Sequence, residues 1–441
     1  MLLRGPVAAT RQLDGGRVVV GDVTSTTALL NVDVDGRGPV LVSVTPDTSD
    51  SAVALVVRPD ADDVARVSLV DLAPGRRHDY RIVNGDRTLE GHFVTAPPPD
   101  EAAPVRLLWS GDLGGHDYCD DSPYRVFDAM AARRPDLFVF AGDTVYADHP
   151  CPGLGGAAQP AETYEGFQAR YRHTIGDVAV QQLLRQASVV AIWDDHEVRG
   201  DFSGPAEPRM SLGRSAFMDA WPIRRSPDEP GRLYRRLRWG ALLEIFVLDT
   251  RQYRSRNWKR DGPDKTMLAA SQREWLIQAV TASPARWRVI VSSVPLSLPK
   301  GSLVSDSWAP SGLPGYRTGF AHERDAILAR LHAAGVQNLI VLTADVHFAA
   351  AMAHQPVPGF ELWELVAGPL AAGTKSPWGP ADGLNTRVLF SHGGQATFGE
   401  LDVGPGALVA RFFDEHGRRL WEHGVETGRP TRPSATHELP R

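Results

Sequence analysis

What this chain has little of narrows its chemistry before any motif is read. It holds 2 cysteines in 441 residues, Cys119 and Cys151, so a disulfide framework is excluded and at most one bridge is available. No uninterrupted apolar stretch approaches the roughly 20 residues of a membrane-spanning helix. The opening "MLLRGPVAATRQLDGGRVVV" lacks an apolar run of signal-peptide length. The expectation is therefore a cytoplasmic protein, or a secreted one if the sequence is a processed form. Positive charge is scarce too: 47 Lys and Arg stand against 53 Asp and Glu, a net charge of −6, which leaves no electrostatic footprint for nucleic acid or an anionic membrane. A GxxxxGK[ST] phosphate loop is missing, which argues against a P-loop ATPase. "GRSAF" at 213–217 lacks the second glycine of a serine-hydrolase nucleophile elbow.

What is present suggests two domains, since 441 residues exceed one ordinary core. Residues 17–95 alternate short β-branched runs ("RVVVG", "ALLNVDV", "VLVSVTP", "AVALVVR", "VARVSLV", "DYRIV", "GHFVT") with Gly, Asp, Asn and Pro turns. That rhythm predicts a small immunoglobulin- or fibronectin-like β-sandwich over residues 1–96. The Pro-rich 97–104 reads as a linker. From 105 to 441, strand candidates ("VRLLWS", "DLFVFAG", "SVVAIW", "LLEIFVLD", "WRVIVSS", "NLIVLTA") alternate with helical patterns such as "PYRVFDAMAARR" and "SQREWLIQAV". This is an α/β layout, a mostly buried sheet flanked by helices. Beyond 360, "FELWELVAG", "ATFGELDVG", "GALVARFFD" and "RRLWEHGV" read as antiparallel closing strands.

The chemistry sits at the strand tips. "RLLWSGD" ends at Asp112, "DLFVFAGDTVY" at Asp143 with Tyr146 close behind, "SVVAIWDDHE" at Asp195 and His196, and "NLIVLTADVH" at Asp345 and His347. In open α/β sheets, ligands gather outside the carboxyl ends of the strands. Carboxylates delivered together there repel one another unless cations neutralise them. Each motif alone has a bland reading: "GD" is a common turn, and His347 could be an ordinary core histidine. Their recurrence at equivalent positions points to a metal site, with more than one ion expected.

On "FAGDTVYAD" (140–148), "AIWDDHEVRGDF" (191–202), "FMDAWPIRR" (217–225), "LYRRLRWGALLEIFVLDTRQYRS" (233–255), "SQREWL" (271–276), "DSW" (306–308) and "LTADVH" (342–347), the chain resembles the PhoD-like alkaline phosphatases, a family of metallophosphoesterases. The resemblance covers about residues 105–425. It implies a metallophosphatase-type layered sheet flanked by helices, preceded by the β-sandwich. It further implies a binuclear centre in which Asp143 is the bridging carboxylate and Tyr146 a phenolate ligand to ferric iron. Asp195 with His196, and Asp345 with His347, match the remaining ligand pairs. Some members place a cysteine thiolate where this chain has Asp112, a harder ligand. Fe3+ with Ca2+ is what the family suggests, and Mn2+ or another divalent ion is compatible with oxygen-rich ligation. The implied activity is hydrolysis of a small-molecule phosphate monoester or diester by a metal-activated water. His196 is placed to contact phosphate or protonate the leaving oxygen. Arg199 either adds positive charge to the phosphate oxygens or is a plain ion-pair partner. The alternative from a different class is a non-catalytic metal-containing protein that uses its β-sandwich to bind a partner. Cys119 and Cys151 follow Asp112 and Asp143 at similar distances, so a bridge between the two trailing loops is an open expectation. Loops 150–163 and 299–319 carry no legible substrate code, and the oligomeric state is equally unreadable.

Overall fold

The structure, a computed structural model, describes residues 16–34, 38–48, 52–114, 124–152, 154, 158–301, 303–311, 317–381 and 383–426. The first strands are β1 (Arg17–Gly21), β2 (Ala28–Asp33), β3 (Val40–Pro46), β4 (Val53–Val57), β5 (Val64–Leu69), β6 (Arg77–Asn84) and β7 (Arg87–Val94). There follow β8 (Val105–Ser110), α1 (Val126–Ala132), β9 (Leu137–Ala141), α2 (Tyr164–Ile175), α3 (Val178–Leu184), β10 (Ser188–Ile192) and α4 (Met210–Ala220). Next come β11 (Arg235–Trp239), β12 (Leu243–Val247), α5 (Ala269–Ala282), β13 (Trp287–Val291), α6 (Ala321–Ala333) and β14 (Leu339–Thr343). The chain closes with β15 (Ala349–Val357), β16 (Phe360–Val366), β17 (Thr386–His392), β18 (Thr397–Val403), β19 (Ala407–Asp414) and β20 (Arg419–Glu426).

The strands beyond residue 104 divide between two sheets, a partition that strand–helix alternation does not reveal. One sheet runs β20-β19-β18-β8-β9-β10-β1-β2-β5, the other β11-β12-β13-β14-β16-β15-β17. The central strands β9 (LFVFA), β10 (SVVAI) and β14 (LIVLT) are buried at every position. That is why they read as continuous apolar runs, as parallel strands covered on both faces do. Val139, Ile192 and Leu401 of the first sheet share a core with Ile245, Val289 and Leu342 of the second. The alternate residues point outward to helices. Phe138 meets Phe127 of α1 edge-on at 6.2 Å, while Ile290 and Val341 share a core with Val280 of α5 and Leu331 of α6. The layers are thus helix, sheet, sheet, helix. Local signals hold the helices in place: the Thr163 side chain caps α2 by accepting from Gly166 N at 3.2 Å.

The N-terminal strands pack as two facing sheets. Val18, Leu30 and Val67 on β1-β2-β5 meet Val42, Ile82 and Phe93 on the β4-β3-β6-β7 sheet. One of these layers is also an extension of the large sheet, because β1 runs parallel beside β10. Buried Asp22, just beyond β1, accepts from Arg235 Nε at 2.8 Å and Arg224 N at 2.6 Å, tying the sandwich to the rest of the chain. The 97–104 segment is pinned as well: Arg238 donates to Pro99 O at 2.7 Å, and Ala241 N to Glu101 O at 2.8 Å.

Candidate metal centre

The parallel strands end on one edge, and their last residues turn sharply. Asp112, Asp143, Asp345 and His347 all lie at positive φ, between 50° and 77°. Asp and His are among the non-glycine residues that tolerate this conformation best. Gly142, at φ 111°, precedes Asp143 for a steric reason. A Cβ there would stand 2.8 Å from Asp194 Cβ and 2.9 Å from Ser293 Cβ, so only glycine lets the turn close against the neighbouring strand tips.

The turns gather the acids. Coordinating atoms of Asp143, Asp194, Asp195 and Asp345 lie within 4.8 Å of one another, and so do those of Asp143, Asp195 and His196. Asp112 joins by accepting from Asp345 N at 3.1 Å. Tyr146 Oη lies 3.2 Å from His347 Nε2. Seven of the eight residues singled out by sequence therefore have another of the set as a neighbour. Arg199 is not brought in: its half-exposed guanidinium lies 3.6 Å from Glu207 on an outer wall, which is the ion-pair reading.

Burial without hydrogen bonds is the decisive property. Asp143 Oδ2, Asp195 Oδ1 and both oxygens of Asp345 are buried without a hydrogen bond among the described residues. Lys300 Nζ forms an ion pair with Asp345 Oδ1 at 2.5 Å. Buried carboxylate oxygens are ordinarily paired, so this donor set fits cations. Burial, reinforced by the charge of Asp195, raises Asp143 well above the usual carboxylate range. Burial likewise raises Asp345, against the pull of Lys300, and lifts Asp112 to about 7, helped by Asp194. Burial would raise Asp195 too, but Lys300 and Arg251 hold it well below its ordinary value. Such carboxyls stay ionised together only with added positive charge.

The histidines are prepared for different work. His347 Nδ1 sits 2.6 Å from Gly373 O and so carries the proton, leaving the Nε2 lone pair facing the cluster. Burial lowers its pKa to about 4, which keeps the ring neutral, as a ligand must be. His196 behaves oppositely. Burial lowers its pKa, yet Asp195 and Asp148 outweigh that and bring it up to about 9. Its Nδ1 is 2.9 Å from Asp148 Oδ1, and its ring stacks on Tyr146 at 4.1 Å.

The surrounding side chains hold this geometry, and several escaped the sequence reading. The acids of "WDDHE" do three different jobs. Asp194 is gripped by Arg251 through two bonds of 2.7 and 2.9 Å and accepts from Ser293 Oγ at 2.6 Å. Asp195 faces the cluster. Glu197 accepts from Thr144 N (2.6 Å), Thr144 Oγ1 (2.8 Å) and Asp194 N (2.9 Å), locking two strand-end turns together. Arg251 also binds Asp306 at 2.9 and 2.6 Å. Asp148, Arg251 and Asp306 lay inside stretches already quoted for the family resemblance. Lys300, 3.4 Å from both Asp195 and Asp306, had no signal, since a lone lysine in a Gly/Pro-rich loop looks like any solvated one.

Residues 109–391 match the family described as PhoD-like phosphatase. The chain belongs to that family. Among curated proteins, Alkaline phosphatase D of Bacillus subtilis (strain 168) is 25% identical over 324 residues, 66% of this chain and 54% of that one. The chain thus spans about half the length of the curated relative it matches. The solved structure of PhoD has a TM-score of 0.76 at 20% identity, covering 96% of this chain and 95% of that one. The purple acid phosphatase PPD1 from yellow lupin (Lupinus luteus) seeds has a TM-score of 0.66 at 13% identity, covering 96% and 77%. These two similarities establish a PhoD and purple acid phosphatase fold, including its β-rich N-terminal region. The PhoD-like match ends before β18, although β18 pairs with β8 beside the acid cluster. Cys151 is buried and is not a free thiol, while Cys119 lies outside the described residues. Among the described residues, no helix is long and apolar enough to cross a membrane.

Proposed function

We propose that this chain hydrolyses small-molecule phosphate esters at a binuclear metal centre held by Asp112, Asp143, Tyr146, Asp195, Asp345 and His347. The observation that carries the reading is the set of buried oxygens on Asp143, Asp195 and Asp345 that accept no hydrogen bond among the described residues. Family membership supplies the reaction class. Bound ions would neutralise these carboxylates, bind phosphate oxygens and activate water. Tyr146 favours Fe3+ at one position. Asp112, an oxygen donor, is compatible with Ca2+, Mn2+ or another hard ion in the centre.

The chain's own groups complete the chemistry. His196, held protonated by Asp148, faces the cluster as the donor to a departing alkoxide. Lys300 brings an ammonium among Asp195, Asp306 and Asp345 and stabilises negative charge arriving there. Arg199 supports the outer wall, with its Glu207 contact as its principal role. We assign the catalytic unit to 105–441, the β-sandwich of 1–96 acting as a buttress through β1 and Asp22. Elemental analysis of the purified chain, with turnover of a phosphate-ester panel before and after chelation, tests the proposal. Two ions per chain and chelator-sensitive turnover restored by metal are expected. Hydrolysis by metal-free protein overturns it, and full metal content without hydrolysis of any ester favours the binding-protein alternative.

A further inference from the structure

A cavity of about 430 Å³ opens beside the acid cluster, its wall including Arg199, Phe202, Arg256, Trp258, Val304 and Asp306. Asp306 and Asp201 belong to both places: they line the cavity, and their carboxylates lie within 4.8 Å of that of Asp195. A phosphate held at the cluster would therefore direct its ester substituent into this space. A smaller cavity of about 50 Å³ between the sandwich and α2 touches none of these residues.

The lining is specific in character. Trp258 is 65% exposed, the one aromatic ring among the large apolar side chains left open to solvent in the described residues. A single exposed apolar residue is ordinary, but this one has company. Val304 and its neighbour Leu303 are also exposed, and the Arg256 guanidinium lies 5.8 Å from the centre of the indole. Among the described residues no carboxylate pairs with Arg256, whereas Asp306 is already satisfied by Arg251, Arg254 and Asn257. Asn257, between Arg256 and Trp258, donates to Asp201 O at 2.9 Å and Asp306 Oδ1 at 2.6 Å. The platform is thus anchored to the cluster. An open indole with a free cation over it suits a flat ring with a π-face, because stacking and cation–π attraction act together on such a ligand. Phe202 and Val304 add apolar surface on one side, while Ser203 and Glu207 are among the polar groups of the rest of the wall.

We propose that this cavity is the leaving-group subsite and that Trp258 stacks an aromatic ring carried by the ester, as in a nucleoside monophosphate. The inference rests on the phosphatase reading above. Adenosine 5′-monophosphate and ribose 5-phosphate share the same primary alkoxide leaving group, so they differ in the ring alone. Their kcat/KM values are measured for the native metal-loaded chain and for Trp258→Ala and Trp258→Phe. The native chain should prefer the nucleotide. Trp258→Ala should lower its kcat/KM about ten- to one-hundred-fold, the range for loss of one stacked base, with ribose 5-phosphate unchanged and Trp258→Phe largely restored. Equal loss on both substrates, or no loss on either, overturns the subsite. Calorimetric binding of adenosine to native and Trp258→Ala protein separates the two hypotheses. Adenosine binding that needs Trp258 without ester hydrolysis refutes the phosphatase reading alone. Hydrolysis without Trp258-dependent adenosine binding refutes the subsite alone.

Discussion

Replacing Arg251 with Met should be among the most damaging single changes in this protein, although the residue touches no solvent. Its guanidinium is fully buried and makes two bonds to Asp194 and two to Asp306, with Asp195 at 3.6 Å. Asp306 retains Arg254 and Asn257, each at 2.6 Å. Asp194 keeps only Ser293 Oγ as a side-chain donor in addition, so the uncompensated charge falls mainly there. Breaking a buried pair by removing one partner costs about 3–5 kcal/mol. The measurement is equilibrium urea unfolding of metal-free protein, so that lost ions do not enter the comparison. Asp194→Asn in the Arg251→Met background removes the stranded charge and should recover about 1–3 kcal/mol, the coupling expected of contacting residues. Arg419→Ala, which breaks an exposed pair with Glu422, serves as the control and should cost about 0–1 kcal/mol. A loss below about 1 kcal/mol for Arg251→Met, or strictly additive behaviour of the double variant, would refute the view that Arg251 neutralises this strand tip.

Four further outcomes can be checked. Asp143→Asn should release at least one ion per chain by elemental analysis; full occupancy with full activity removes Asp143 as the bridging ligand. Tyr146→Phe should abolish a visible phenolate-to-iron absorption, and an active colourless native enzyme with two divalent ions shows that iron is not required. His196, proposed above as the general acid, would work while protonated, so activity should fall as pH rises through about 9; Asp148→Asn withdraws its supporting charge and should move that limb of the kcat profile to lower pH, and an unmoved limb excludes His196 as the group observed. Thiol titration of denatured protein should find free cysteine only after reduction if Cys119 and Cys151 are bridged, and two titratable thiols without reductant exclude the bridge.

Sequence alone located the acidic strand ends that the fold brings together. Strand β10 is a run of buried β-branched and small residues that continues through Trp193 into Asp, Asp, His and Glu, and β9 and β14 likewise meet an Asp two residues beyond their last residue. A strand buried on both faces must be apolar throughout, so an abrupt change to acids marks its end and the edge where ligands collect. The small runs of the N-terminal sandwich were legible for a similar reason, each bounded by its turn residues. Local pattern says nothing, however, about which strands become neighbours. That β1 would extend the catalytic sheet, and that β12–β14 would form a second sheet, depended on long-range packing of faces that all look equally apolar. The same limit governs the charges. Asp112 and Asp345 meet across 233 residues, and Lys300 reaches Asp195 from a loop with no periodic signal. Nothing in "WDDHE" distinguishes Asp194, fastened to Arg251, from Asp195, left open toward the centre. A buried carboxylate becomes a structural anchor or a candidate ligand according to whether donors already take up both its oxygens, and only the tertiary structure decides where those donors lie.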